Sequence, residues 1–181
     1  MRFTPTEVDG VVLVEVDRIS DDRGFFARNW DGAEFAAEGL EASWVQSNVG
    51  FSIKAGTLRG MHYQRAPHAE VKLVRCTLGA VWDVALDLRP ESPTYLRSVG
   101  AELTAENRSA LWIPEGCAHG YQTLVDESEI TYFTSTPFVK EAATGAGTDD
   151  PAFGITWPLP VSVISYQDRS WPLWEPAPKE A

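Results

Sequence analysis

Three side chains able to handle an anion or a proton stand close together in this chain of 181 residues. They are Arg59 and His62, in Leu58-Arg59-Gly60-Met61-His62-Tyr63-Gln64, and Lys72, in Glu70-Val71-Lys72-Leu73-Val74-Arg75. A guanidinium suits phosphate, an imidazole exchanges protons near neutral pH, and an ammonium suits a developing oxyanion. Both stretches favour β structure, so the three groups belong on strands. Strict alternation puts Leu58, Gly60 and His62 on one face and Arg59 on the other. For Arg59 and His62 to serve one site the strand must kink, and Gly60 is the residue that permits it.

The elements that position these groups are mostly short strands. Runs rich in β-branched and aromatic residues fall at 11–16, 25–30, 44–49, 58–64, 71–77, 81–88, 96–103, 110–113, 121–124 and 130–134. Gly, Pro and Asn turns separate them, which predicts a β-sandwich or barrel. One short helix is expected, opened by Asp31 and Glu34 as a capping box, with Phe35 and Leu40 apolar and Gly39 as its stop. The stretch from Trp157 carries five of the twelve prolines and is expected to wrap the barrel, with 176–181 disordered.

Composition sets the outer bounds. A hydrophobic content of 44% with 23% charged residues describes one ordinary globular domain. A net charge of −11 argues against nucleic acid and anionic membranes, though not against one small anion met by local positive charge. The longest aliphatic run, Val11-Val12-Leu13-Val14, is too short to span a bilayer. The first residues show no apolar stretch of signal type, so a cytoplasmic location is the default expectation. Cys76 and Cys117 are expected as small core residues, and most of the seven Trp as packing groups. Asn107-Arg108-Ser109 spells a glycosylation sequon, without meaning in an unsecreted protein.

Pro114-Glu115-Gly116-Cys117-Ala118-His119 resembles the second motif of the cupin superfamily. Ala66, His68 and Lys72 occupy the places of the first motif's metal ligands, with Gly79 following. A protonated lysine has no lone pair and repels a cation, so the resemblance implies a metal-free cupin. The fold expected is mainly β: a cupin-type double-stranded β-helix, or jelly-roll barrel, with a short helix and extended terminal segments. The core barrel would run from about residue 44 to 135.

An ordered set of further motifs resembles the dTDP-4-dehydrorhamnose 3,5-epimerase family. The set comprises Arg23-Gly24-Phe25-Phe26, Gln46-Ser47-Asn48, the two stretches around His62 and Lys72, and 81–89. It continues through 111–120, Tyr132, Asp149-Asp150-Pro151 and Gly154-Ile155-Thr156-Trp157-Pro158. The resemblance implies cofactor-independent epimerisation at C3 and/or C5 of a dTDP-4-keto-6-deoxyhexose, in deoxysugar biosynthesis. It implies His62 as base, Asp168 as its partner, Lys72 as the enolate-stabilising charge and Tyr132 as the acid on the opposite face. These roles suit the chemistry, because a base with a pKa near 6.5 suits a proton α to a ketone. Inversion also needs a second group across the sugar. Arg23, Phe26, Gln46, Asn48, Arg59, His119 and Phe138 would bind substrate, and Asp83 would hold Lys72 or His119. In the family the arginine of Arg-Gly-Phe-Phe enters a neighbouring subunit's site, which implies a homodimer.

Three positions depart from the family pattern. Arg28 replaces a usual Glu, Gly50 a common Ser, and Phe138 a Tyr near the sugar. A 3- or 5-monoepimerase of a secondary-metabolite pathway therefore stays open. So do a 3,4-ketoisomerase and a non-catalytic nucleotide-sugar-binding cupin, with a metal-dependent oxygenase the most remote alternative.

Overall fold

The computed structural model describes residues 1–40 and 43–175; the expectation for 176–181 lies outside the described residues. Two antiparallel sheets face each other across a shared core. The first holds, in spatial order, β1 (Arg2–Pro5), β2 (Val12–Glu15), β10 (Ala110–Ile113), β7 (Lys72–Leu78), β12 (Ser128–Thr134) and β5 (Gln46–Ser52). The second holds β13 (Ala143–Gly145), β6 (Thr57–Gln64), β11 (Cys117–Thr123), β8 (Ala80–Asp87) and β9 (Ser98–Thr104). A last short strand, β14 (Val163–Ile164), runs parallel to the start of β6. This is the jelly-roll arrangement expected, with a wider span: β1 and β2 before residue 44, and β13 and β14 after 135, belong to the same sheets.

Side chains pointing inward from both sheets make the central core, among them Val74, Cys76, Val81, Ala85, Leu103, Leu111, Ile113 and Ile130. Both cysteines are free and buried there. Burial pushes the Cys76 thiol up to about 11 and that of Cys117 up to about 12. Each outer face is also covered. Phe35 of α1 (Gly32–Ala37) joins Trp112, Val12 and Val14 outside the first sheet. Phe153, Trp157 and Trp174 cover Met61, Val84 and Leu86 outside the second. Apart from Trp30 and Trp171, tryptophans pack in these layers.

Asp31 caps α1 by accepting from the amides of Ala33 and Glu34. The reciprocal half of the expected capping box is absent, because the Glu34 carboxylate takes the N-terminal ammonium at 2.9 Å instead. The expected strand at 25–30 is also shorter. Only Gly24–Phe26 (β4) is extended, paired with β3 (Ile19–Asp21) in a separate hairpin. A second helix, α2 (Tyr166–Arg169), was not expected; Ser165 caps it by accepting from the Asp168 amide.

The chain beyond Trp157 lies along the second sheet and is fastened at several points. Gln122 exchanges side-chain bonds with the Leu159 backbone, at 2.8 and 2.9 Å. Ser162 donates its amide to the Gly56 carbonyl at 3.0 Å. Trp174 donates its amide to buried Asp150 and its indole N–H to the Tyr95 hydroxyl. These bonds place α2 beside the middle of β6. No helix among the described residues is long and apolar enough to cross a membrane.

Candidate active site

The kink required at Gly60 is present. Along the β6–β11 pairing, His62 opposes His119 while Arg59 opposes Tyr121, so β6 carries one residue more than its partner over this step. The extra residue is a bulge that reverses the alternation. Arg59 and His62 thereby turn toward the same cavity, whereas Leu58 and Met61 are buried away from it. Only glycine fits at the kink: Gly60 has φ +145°, and a Cβ there would lie 2.6 Å from the Gly120 Cα.

The cavity has a volume of about 450 Å³, within the range of small-molecule sites. β6 and β11 supply Arg59, His62 and His119 to one wall, and β12, β7 and β5 supply Tyr132, Lys72, Asn48 and Gln46 to the other. Phe138 stands at its mouth, 64% exposed. A chain of strongly negative net charge therefore gathers Arg59, Lys72 and two histidines around one hollow.

His62 is half-exposed, and its Nε2 lies 2.6 Å from Oδ1 of buried Asp168. A carboxylate only accepts, so the ring nitrogen facing it carries the proton and Nδ1 keeps its lone pair for the cavity. Burial pushes the Asp168 carboxyl up. The hydrogen bond and charge of His62, the Gly60 amide and Ser165 outweigh that, and the group ends below its ordinary value. His119 repeats the arrangement in a drier place: its Nε2 is 2.7 Å from Oδ1 of fully buried Asp83. Of the two partners considered for Asp83, the structure selects His119.

Lys72 is buried by all but 7% of its side chain and donates to the His62 carbonyl at 3.1 Å. Its carboxylate partner is Glu70, at 3.0 Å. On the same wall as Lys72, burial raises the Tyr132 phenol above its usual 10, the Glu70 charge adds to this, and Arg59 opposes it. Tyr132 therefore stands ready as a protonated acid. Arg59 reaches the rim, held by Ser52 Oγ at 3.2 Å and the Phe51 carbonyl at 2.9 Å. Gln46 accepts the Phe138 amide at 2.8 Å, fixing the Phe138 loop against β5.

Arg23 and Phe26 do not reach the cavity of their own chain. They occupy the exposed β3–β4 hairpin, where Arg23 pairs with Asp21. Of the departures, Gly50 and Phe138 line the cavity, whereas Arg28 pairs with Asp31 away from it. A Cβ at Gly50 would lie 3.1 Å from the Tyr121 hydroxyl, which fills the space a serine would use. Glu70, Tyr121 and Trp171 also line the cavity without having been singled out in the sequence. Spacing offered a signal for Tyr121, which stands two residues from His119 on β11 and so shares its face. His68 sits in the turn after β6, outside the cavity. Among the described residues no group of three or more His, Cys, Asp or Glu is placed to hold a metal ion.

The family model described as dTDP-4-dehydrorhamnose 3,5-epimerase matches residues 5–176. The chain belongs to this family. A Sinorhizobium fredii protein of that name is 41% identical, covering 95% of this chain and 89% of its own length. The solved dTDP-4-dehydrorhamnose 3,5-epimerase of Bacillus anthracis, with TDP and pyrophosphate bound, superposes with a TM-score of 0.92 at 35% identity. It covers 96% of this chain and 99% of its own. A Legionella pneumophila dTDP-6-deoxy-D-glucose-3,5-epimerase in complex with dTDP-4-keto-L-rhamnose gives 0.89 at 33% identity, covering 95% and 92%. A dTDP-4-dehydrorhamnose 3-epimerase of Streptomyces niveus is 33% identical over 93% of this chain and 82% of its own length.

Proposed function

We propose that this chain epimerises a dTDP-4-keto-6-deoxyhexose at C3 and C5, in the biosynthesis of a deoxysugar. The observation that carries this reading is a base and an acid on opposite walls of one cavity: His62, backed by Asp168 at 2.6 Å, faces the sheet that bears Tyr132. His62 Nδ1 takes the proton from the carbon beside the ketone, and the electron pair moves onto the C4 oxygen. Lys72 stabilises that oxyanion by charge and hydrogen bonding. Tyr132 returns a proton to the other face of the carbon, inverting it, and its phenolate then regains a proton from solvent as His62 gives its own up. One base alone would return the proton to the face it came from, so inversion requires the second wall.

Arg59 binds the pyrophosphate through the guanidinium edge left free at the rim. Asn48 and Gln46 bind nucleotide or sugar, and His119, oriented by Asp83, hydrogen-bonds the sugar. The exposed hairpin carrying Arg23 and Phe26 completes the site of a second copy in a homodimer. Its Phe26, 66% exposed, supports that placement. A second reading, epimerisation at one carbon only, is favoured by Gly50 and Phe138, which alter the lining where the family commonly has Ser and Tyr.

Proton NMR of dTDP-4-keto-6-deoxyglucose with the protein in deuterium oxide tests both readings. Loss of the C3 and C5 signals, with an inverted product, supports the double epimerase. Loss of one signal selects the monoepimerase, and loss of neither refutes the assignment. Light scattering of the free protein checks the dimer, and Arg23→Ala raises KM roughly tenfold or more if the hairpin serves the partner's site.

A further inference from the structure

An ammonium has three N–H donors in a fixed tetrahedral arrangement, and that of Lys72 is held from two sides. It donates one N–H to the His62 carbonyl at 3.1 Å and forms an ion pair with Glu70 Oε1 at 3.0 Å, with both side chains almost wholly buried. Glu70 is itself held. Its Oε2 accepts from Gln64 Nε2 at 3.3 Å, and the Gln64 amide is set in turn by the Val139 N–H, which donates to Gln64 Oε1 at 2.6 Å. Gln64 Nε2 also donates to the carbonyls of His68 and Pro137. A continuous line of polar contacts thus runs from the backbone beside Phe138, by hydrogen bonds through Gln64 to Glu70, by an ion pair to the Lys72 ammonium, and by a hydrogen bond to the carbonyl of the base.

We propose that Glu70 is a positioning residue of the reaction: it clamps Lys72 Nζ against the His62 carbonyl, so that the remaining N–H is aimed at the ketone oxygen. The proposal rests on the epimerase reading above and extends it to a residue outside the acid–base set. A lysine stem has four rotatable bonds, and with one anchor instead of two the ammonium can swing off the oxyanion. Misplacement by about 1 Å costs roughly 10²-fold in rate. Glu70 has a second effect, because its charge is one of the causes holding the Tyr132 phenol protonated.

The test compares the wild type, Glu70→Ala and Glu70→Gln for deuterium wash-in and product formation over a range of substrate concentrations and pH, with thermal melts of each. Glu70→Ala lowers kcat about 30- to 100-fold while KM moves less than about threefold, the signature of an interaction made in the transition state. Glu70→Gln keeps the fold and an oxygen for Nζ, so it recovers at least tenfold of that loss. Its alkaline limb of kcat moves to lower pH, since the phenol has lost a neighbouring negative charge. The other titratable and charged groups of the cavity, Arg59, His62, Tyr63, Lys72, His119 and Tyr121, are the same in all three proteins. The limb shift therefore reports Glu70. An unchanged kcat in Glu70→Ala, a rise in KM alone, or a glutamine variant no better than alanine overturns the proposal. A wild type that exchanges neither proton overturns the epimerase reading and this proposal with it; a wild type that exchanges beside an equally active Glu70→Ala overturns this proposal alone.

Discussion

Replacing Asp168 by Asn removes one negative charge and little else, which makes it the sharpest probe of the base. The asparagine keeps the carboxylate's shape, and Ser165 still caps α2 through the backbone amide of residue 168. What is lost is the attraction between the carboxylate and the imidazolium formed when His62 takes a proton. Two unit charges about 4 Å apart interact by roughly 4 kcal/mol at an effective dielectric constant of 20, and by about 1 kcal/mol in bulk water. Asp168 is buried while the His62 side chain is 48% exposed. The pair belongs between these limits, near 3 kcal/mol, or about 10²-fold in kcat. An amide can also turn its NH₂ toward the ring, which places the imidazole proton on Nδ1 and removes the base; the loss then approaches 10⁴-fold, as when a triad aspartate is amidated. The assay is the initial rate of deuterium wash-in at saturating substrate, with melting temperature as the control for folding. A folded Asp168→Asn protein within threefold of the wild type refutes the assignment of the pair.

Tyr132→Phe separates abstraction from inversion: deuterium still enters from the His62 side, while inverted product falls by about 10²-fold or more, both read from one NMR time course. Lys72→Met removes the charge under the oxyanion and lowers wash-in by about 10²- to 10³-fold with the fold intact. Gly60→Ala sets a Cβ 2.6 Å from the Gly120 Cα at a φ of +145°, so both backbones must yield. It costs about 2–4 kcal/mol, measured as a shift of the denaturation midpoint. Asp87 gives a stability test with a defined sign. Burial pushes its carboxyl up, but hydrogen bonds from Arg89, Ser92 and Thr94 outweigh this and hold it at about 2, against 3.8 ordinarily. The unfolded chain therefore binds more protons between these values, and the group's stabilisation of about 2 kcal/mol is whole above roughly pH 4 and lost as pH falls through 2. Asp87→Asn unfolds more easily than the wild type at pH 7, and the gap closes toward pH 2.

Much of this fold was legible because its inner strands are dense in Val, Ile, Leu and aromatics, and the Gly60 kink followed from alternation alone. Strand β11 was read four residues late, because Cys117-Ala118-His119-Gly120 has little β propensity. Packing explains the choice, since a Cβ at Gly120 would lie 2.5 Å from the Met61 sulfur. The strands β1, β13 and β14, of two to four residues, hold too few side chains for a pattern and exist because neighbours offer them an edge. Within the site, Arg59, His62 and Lys72 stood out by residue type and spacing. Asp168 came only from the resemblance, since 106 residues separate it from His62 and the pairing depends on how the tail crosses the second sheet. Glu70 was hidden by its place: it lies just ahead of β7, two residues before Lys72, where a glutamate reads as a solvated loop residue until burial is known.

The tail that delivers Asp168 makes catalysis a gauge of sub-global opening. Were the segment from Leu159 to Trp174 to lift away from a closed barrel, the molecule would keep His62 but lose its carboxylate. Turnover then scales with the docked fraction, set by the Gln122, Gly56, Asp150 and Tyr95 attachments and not by the melting of the core. On heating, activity falls before the core unfolds, and the amide of Ser162 exchanges with solvent in step with it.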